Sequence, residues 1–505
     1  MSERASEAIT TAASHSPKES EHYDVVVVNS GLQGVSIACE AASRNLKTLL
    51  VSNCIGESSY PTGIYGDGLN NLKNFHLASL ISNFEELANM YKRTPHLVRP
   101  IHTYVVGAQA TPSLHWRSMM KFYNWLQRKK IPSIASEEQN SNADQAPVNE
   151  LIKITTKEFS INFNRIEIAY MQQLQALGGD ILQDHQLLEA QRQDKQWRLV
   201  ISKKKQNNCL NISSSILINC NGCHTDDLLK QTLAVKTRSA TNHQRVSALI
   251  FIRHQSKWNS AVALQQAKQA FVYAYPISAQ HICVGPVSAE HDSSEAKEKA
   301  LAIFISLWNQ HFNLPLNRDD IIHSQWTSQA VLDDPSCRSS YVRPECYLDL
   351  NNPGNLAPLL NVFGANMIQH RHLAQQALDI LIPFTQAQAD AQFINTPLPG
   401  GDFEQQPLAQ LLAQFYQRYS TLPKELITRL FYTYGTNLLK ILGNSQEIED
   451  LGYNFGHHLY EAEVRYLLEY EWARNHYDIL WRHTFLGLSF DKDQQETLNR
   501  YLSSI

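Results

Sequence analysis

Short apolar runs separated by turn residues dominate the first half of the chain. Tyr23-Asp-Val-Val-Val-Val28 is a short, mostly apolar run of the kind that makes a strand buried in a parallel sheet. Asn29-Ser-Gly-Leu-Gln-Gly34 follows as a turn, Val35 to Asn45 reads as a helix, and Lys47-Thr-Leu-Leu-Val51 predicts a second strand. Strand, helix and strand at this spacing make a βαβ unit, the usual opening of a dinucleotide-binding sheet. Trp197 to Ile201 and Ile216 to Asn219 predict further strands.

The pattern changes after Pro397-Leu-Pro-Gly-Gly401, which reads as a linker. Beyond it the period is helical: Val464, Leu467, Leu468 and Trp472 fall at i, i+3, i+4 and i+8 and give one apolar face. Glu461 with Arg465, and Asp478 with Arg482, are spaced to pair at i, i+4 on the solvent side. The polar stretch from Ser136 to Ala146 reads as a surface loop or disordered insertion, and Met1 to His22 as a disordered tail. No internal repeat is found.

Composition narrows the class. The 505 residues carry a formal charge of −4, with 43% hydrophobic and 18% charged side chains. That is a globular balance with room for several domains, and it lacks the basic excess a nucleic-acid binder needs. No run approaches the ~18 apolar residues of a transmembrane helix, and the tail has no hydrophobic segment of the secretory type. Eight cysteines in a chain this long read as reduced, cytoplasmic thiols rather than a disulfide framework.

The turn at Asn29–Gly34 is where a nucleotide would bind. The fingerprint G-x-G-x-x-G asks for glycine at 29, 31 and 34, and the chain has Asn29, Gly31 and Gly34. Asn tolerates the left-handed region better than most residues, so Asn29 could still turn. About twenty residues on, an acidic side chain should hold the ribose, and Ser52-Asn53 stands there. Two glycines alone fit a nucleotide loop or a plain strand-helix turn.

Longer segments carry a resemblance. Asp450-Leu-Gly-Tyr-Asn-Phe-Gly-His457, the run from Tyr460 to Tyr466, Glu471-Trp-Ala-Arg474 and Asp478-Ile-Leu-Trp-Arg-His-Thr484 resemble the C-terminal helical domain of FAD-dependent glycerol-3-phosphate dehydrogenases. Thr94 to Pro100, Ala357 to Gly364 and Leu373 to Asp379 look like segments of the same family, so the likeness runs from about Tyr23 to the C-terminus. It implies an FAD/NAD(P)-binding, Rossmann-like α/β fold. The doubly wound sheet (23–75, 150–235, 340–396) is interleaved with an antiparallel α+β substrate domain (76–149, 236–339). A helical domain (397–505) follows. It also implies oxidation of sn-glycerol 3-phosphate to dihydroxyacetone phosphate, with electrons passing through FAD to a membrane quinone. By that resemblance the FAD-contacting positions are Gly31, Leu32, Gln33, Gly34, Ser52, Asn53, Ser58, Ser59, Gly222 and Gly364.

The chemistry is carried over less completely. The family's Ser-Ser-x-Ser-Ser-Lys-Leu-Ile-His-Gly-Gly-Leu-Arg matches Ser58 to Asn70, with Gly63 for its Lys, Gly66 for its His, Asp67 for a Gly and Asn70 for its Arg. Its Lys-Gly-Ser-His falls on Arg245 to Ala248, its Gly-Val-Arg-Pro-Leu on Thr327 to Val331, and its Gly-Gly-Lys segment on Gly364 to Asn366. Ala248, Gln329 and Asn366 therefore replace a His, an Arg and a Lys. Charge-assisted bonds to phosphate contribute roughly 1.5–3 kcal/mol each, so losing two or three removes on the order of two to six decades of affinity. No catalytic residue is assigned. His243, His370 and Arg371 are the neighbours that could compensate.

Two further signals remain. Cys220-Asn-Gly-Cys-His224 fits a haem-attachment pattern formally, or a redox or metal-binding pair, and reads more simply as ordinary buried thiols. In His115–Lys130, Trp116, Met119, Met120 and Tyr123 share one face, with Arg117, Lys121, Arg128, Lys129 and Lys130 supplying charge. This is a membrane-interface helix, cytoplasmic-side and peripheral, or a core helix with a basic outer face. Three functions follow: an inactive relative acting as a binding or regulatory subunit, an active FAD oxidoreductase, or one with a changed, non-phosphorylated substrate. The sequence names no protein partner, and a homo-oligomer is compatible with it.

Overall fold

The Val-rich run and its turn fold as the period suggests. In the computed structural model the described residues are 17–29, 31–52, 63–64, 67–106, 114–131, 155–203, 209–233, 242–253, 258–265, 271–278, 280–332, 346–364, 366–385, 396–404 and 406–505. Asn53, Ser58, Ser59, Gly66, the side chains of Asp67 and His243, and the Ser136–Ala146 stretch lie outside them.

The first elements are β1 (His22–Asn29), α1 (Leu32–Ser43), β2 (Thr48–Ser52), β3 (Gly63–Ile64), α2 (Asp67–Lys73), α3 (Leu77–Arg93), β4 (Val98–Val106) and α4 (Leu114–Lys130). Then come β5 (Thr155–Ile161), α5 (Phe163–Ala176), β6 (Asp180–Gln183), β7 (His185–Gln193), β8 (Gln196–Lys203) and β9 (Cys209–Cys220). The middle adds β10 (Asn242–Arg253), β11 (Ala261–Gln265), β12 (Phe271–Ser278), β13 (His281–Ala289), α6 (Ser294–His311), β14 (Ile321–Leu332), β15 (Tyr347–Asn351), β16 (Leu359–Phe363) and α7 (His370–Leu381). The C-terminal helices are α8 (Leu408–Arg418), α9 (Lys424–Tyr434), α10 (Leu438–Leu442), α11 (Glu461–Tyr470) and α12 (Lys492–Ser504).

One sheet runs β15-β16-β9-β1-β2-β6, with β7 and β8 attached through β9. Its four inner pairings are parallel: β1 with β2 (Asn29 opposite Ser52), β1 with β9 (Asn29 opposite Cys220), β9 with β16, and β2 with β6. The carboxyl ends of these strands therefore share one edge, the usual ligand side of such sheets. Helix α1 is buried all round, and its small residues Ala38, Ala41 and Ala42 let it pack between the sheet and helices α5 and α7. The second sheet runs β14-β10-β13-β12-β11-β4-β5-β3 and is antiparallel except for β4 beside β11. Its inner face joins the first core, while its outer face packs on α6 through Phe304 and Trp308.

Residues from Phe403 to Leu498 form a separate core. The stretch expected to link it is docked instead of loose: Leu398 is buried, its N–H donates to Arg93 O (3.2 Å), and a Cβ on Gly435 would collide with Gly400 O. Val464 and Leu467 are buried as the period predicts, but Trp472 lies past the helix at φ 56° and packs on the first core. Glu461 pairs with Arg465 on the surface (2.5 Å), whereas the Asp478–Arg482 pair (2.6 Å) is largely buried. The tail boundary also moves: His22 opens β1 and Glu21 accepts from Lys47 (2.7 Å). Among the described residues no helix is long and apolar enough to cross a membrane.

Candidate functional site

Gly31, Leu32, Gln33 and Gly34 begin α1, Ser52 ends β2, Gly222 turns the chain after β9, and Gly364 follows β16. The parallel register brings all of them to the carboxyl edge of the first sheet. No side chain caps α1, and its ladder starts with Val35 N–H to Gly31 O (3.3 Å). The N–H groups of its first turn thus face out from the positive end of the helix dipole, the ordinary arrangement for holding a phosphate.

Asn29 does not take the left-handed turn that a first fingerprint glycine allows. It stays in strand pairing on both sides, and its Oδ1 accepts from Gly31 N–H (2.8 Å). The amide then lies over Gly34, where a Cβ would strike it. The third glycine is needed here to admit the side chain that replaced the first.

A cleft of about 150 Å³ opens beside this loop, lined by Val28, Asn29, Val51, His185, Gln186, Leu187, Asn221, His224, Asp227 and Leu228. Asn29 Nδ2, Ser52 Oγ and Asn221 Oδ1 are buried and have no hydrogen-bond partner among the described residues. The three residues are 1%, 1% and 9% exposed. Each such atom costs about 1–3 kcal/mol unless something satisfies it. The donor set suits the nucleotide half of FAD: helix N–H groups for pyrophosphate, and an amide and a hydroxyl for ribose and base. The carboxylate that would fix the ribose is absent, since Ser52 is neutral. Sequence reading found Gly222 but missed Asn221, His185 and Gln186. They are brought in by the antiparallel β7-β8-β9 meander, which no local spacing announces.

The positions that should hold substrate phosphate look different. Asn70 Oδ1 accepts from Phe271 N–H (3.2 Å), and Asn366 Oδ1 accepts from Ile368 and Gln369 N–H (3.2 Å each) as a turn entering α7. Ala248 is fully buried in the layer between the second sheet and α6. His370 is buried, with Nδ1 on Met367 O (2.7 Å) and Nε2 on Tyr170 OH (3.0 Å). Burial pushes its imidazole down to about 3. Arg371 pairs with Glu86 (2.5 Å), and Arg93 donates to Tyr170 OH (2.6 Å) in the same interior cluster. His370 and Arg371, which looked able to compensate, are committed to packing α7 against α3 and α5.

Cys220 is buried and Cys223 half-buried, with burial pushing the Cys223 thiol up to about 11; its Sγ donates to Ser328 O (3.2 Å). Among the described residues no cluster of His, Cys, Asp and Glu could hold a metal. In α4, Met120 and Tyr123 are buried and Tyr123 OH donates to Glu158 (3.0 Å), so the predicted stripe faces the core. The opposite face carries a pair the sequence reading missed. Trp125 is 53% exposed and stacks on Phe122 (5.9 Å), with Lys129 over its ring (5.6 Å).

Comparison with known proteins covers nearly the whole chain. Residues 24–345 match the family described as FAD dependent oxidoreductase, and 394–503 match the C-terminal domain of alpha-glycerophosphate oxidase. The aerobic glycerol-3-phosphate dehydrogenase of Escherichia coli (strain K12) is 26% identical over 95% of this chain and 97% of its own. The glycerol-3-phosphate dehydrogenase of Pseudomonas aeruginosa is 28% identical over 97% of each. The glycerol-3-phosphate dehydrogenase from Bacillus halodurans, solved with FAD, superposes with a TM-score of 0.67 at 15% identity, covering 99% of this chain and 96% of its own, and so shares the fold.

Proposed function

Because this chain belongs to the FAD-dependent oxidoreductase family, we propose that it is a relative of the glycerol-3-phosphate dehydrogenases that keeps the nucleotide fold and has lost catalysis, acting by binding. One observation carries this reading. The described residues at the expected cationic positions, Gly63, Asn70, Gln329 and Asn366, are neutral, and the nearby Arg371 and His370 are bonded inside the fold. A phosphorylated substrate would bring about two negative charges to a site offering no compensating cation at those positions.

FAD, where held, would lie on α1's first turn with Ser52, Gly222 and Gly364 around it, and would supply hydride acceptance from an alcohol carbon. This chain's part in such a reaction would be to position the alcohol and take its proton, and position 248, where the resemblance puts the base, is an alanine buried in the layer against α6. The test is the visible spectrum of the purified protein, followed by dye reduction with glycerol 3-phosphate. Little flavin and no substrate-dependent reduction are expected. Stoichiometric FAD bleached by glycerol 3-phosphate would make the family activity the better description.

A membrane surface is the second element of the proposal. Trp125 and Phe122 project beside Lys121, Arg128 and Lys129, an aromatic and basic face suited to anionic headgroups. This supports a peripheral, cytoplasmic-side location, without electron transfer to quinone if the flavin is not reduced.

A further inference from the structure

We infer that the seam between the second sheet and the C-terminal domain is an acid-sensitive joint. Protonation of the imidazoles on its sheet side releases the segment 477–488 from β10 and β14 while the rest of the chain stays folded.

The seam is built from rings. His323 on β14 stands opposite Phe251 on β10, and the two rings lie 5.8 Å apart. Trp481 of the C-terminal domain stacks on His323 (4.1 Å, 26°), and Phe485 meets Phe251 at 6.2 Å. Trp481 rests in turn on Gly487, where a Cβ would lie 2.4 Å from the indole. Phe485 sits in the left-handed region at φ 59°, a conformation that a large side chain keeps only while its surroundings hold it there. Two residues along β10, Arg253 stands opposite His281 on β13. His281 is buried, with Nδ1 bonded to Ser278 Oγ (3.0 Å). From the C-terminal domain, His457 adds its charge to the same spot.

The charges that meet His281 are therefore all of one sign. Burial first, and then Arg253 and His457, hold its pKa below the usual imidazole value, and burial does the same at His323. An imidazolium at 323 would recover part of its loss by stacking on the indole, so His281, which faces two like charges, carries the larger response. Both groups bind a proton more readily once the seam opens and their values return toward ~6.5. The contacts are thus fully present above about pH 6.5 and weaken as the pH falls through the folded values.

The far side of the segment is anchored differently. His483 Nδ1 bonds to Glu471 (3.1 Å), and Arg482, which lies over the Tyr477 ring (5.5 Å), pairs with Asp478 (2.6 Å). Arg482 O also accepts from Asn164 Nδ2 on α5 (3.3 Å). Basic groups there meet carboxylates, and Glu471 is held at about 2, so mild acid leaves that side joined. Acid acts on one face of the segment only, and opening bares the rings of Phe251, Trp481 and Phe485.

The experiment is hydrogen-exchange mass spectrometry of the full chain at pH 7.5 and 5.5, corrected for the intrinsic pH dependence of exchange. Peptides covering 477–488 and 321–326 should exchange faster than β1 at both pH values, and should accelerate roughly fivefold or more at the lower one. His281→Gln with His323→Gln should cut that acceleration to below about twofold, while leaving the pH response of β1 as it is in the parent. His370→Gln should keep the response of the seam. If the double variant does not fold, His281→Gln alone should at least halve the acceleration. Seam peptides insensitive to pH, seam and β1 exchanging at one common rate, or folded variants that respond like the parent would each overturn the inference.

Discussion

Replacing Glu471 by Gln should loosen the C-terminal domain from the rest of the chain. Glu471 is fully buried, and both of its oxygens accept from the Arg165 guanidinium on α5, one at 2.7 Å. His483 Nδ1 adds a third contact at 3.1 Å, Arg165 Nε donates to Thr433 O (3.1 Å), and the guanidinium lies over the Tyr434 ring (4.5 Å). Burial alone would raise the Glu471 carboxyl, but the Arg165 charge and the bonds from His483 and Arg165 outweigh it and hold it at about 2. Removing the negative charge strands a buried cation, which costs about 3–5 kcal/mol. At about 2.1 cal/mol/K of unfolding entropy per residue, a 505-residue chain melting as one unit would lose about 1 °C per kcal/mol. The melting temperature should then fall ~3–5 °C, or roughly five times more if the C-terminal domain, about a fifth of the chain, melts by itself. Differential scanning fluorimetry with limited proteolysis distinguishes the two. Arg165→Met with Glu471→Leu should recover most of the loss, because an apolar pair strands no charge. A Glu471→Gln protein melting within about 1 °C of the parent, with unchanged proteolysis, would refute the argument.

Two other predictions concern acid and membranes. Burial holds the His96 and His370 imidazoles at about 3 in the fold, against about 6.5 when unfolded. The unfolded chain therefore binds more protons below pH 6.5, and stability present above that pH is lost as pH falls toward 3, by about 2 kcal/mol for each histidine at pH 5. Melting curves between pH 7 and 5 should show the decline, less steep in His370→Gln; a flat profile would contradict the burial assignment. Phe122→Ser with Trp125→Ser should reduce sedimentation with anionic liposomes at least threefold, as should Arg128→Gln with Lys129→Gln. Equal sedimentation of parent and variants, or none by the parent, would leave α4 as a core helix with a solvated face.

How much of this was legible in the sequence depended on the range of the contacts. The βαβ opening was readable because the four valines from Val25 to Val28, two glycines and a second apolar run are local. The C-terminal family segments were recognisable, but their purpose was not. Glu471 meets a partner 306 positions away, and only the fold brings α5 under the C-terminal core. The stripe on α4 was correctly spaced yet did not say which side faced in, because both faces carry large apolar residues. Ala248 illustrates the opposite error. The family resemblance puts it in a catalytic position, whereas the alternation along β10 turns it toward α6.

That placement bears on whether lost chemistry could be restored one residue at a time. Asn366→Lys returns a cation but deletes the Oδ1 that accepts from Ile368 and Gln369 N–H, and loss of a cap-like bond of that kind costs about 1 kcal/mol. Asn70→Arg likewise leaves the buried Phe271 N–H, at the start of β12, without its acceptor. Ala248→His would force an imidazole into the apolar layer against α6, where overpacking costs about 1–3 kcal/mol and no reacting atom is in reach. Asn70 and Asn366 are held by local bonds and Ala248 by packing, so reversal there carries a stability cost while the remaining positions stay neutral. Catalytic groups that act as a unit give almost nothing singly. Asn70→Arg, Gln329→Arg and Asn366→Lys, made one at a time and supplied with FAD, should each leave dye reduction by glycerol 3-phosphate at background, with melting temperatures at or below the parent. A single reversion that turned over substrate would mean that the remaining site is nearly complete, and that the geometry around Asn70 and Asn366 is a resting arrangement rather than a replacement for chemistry.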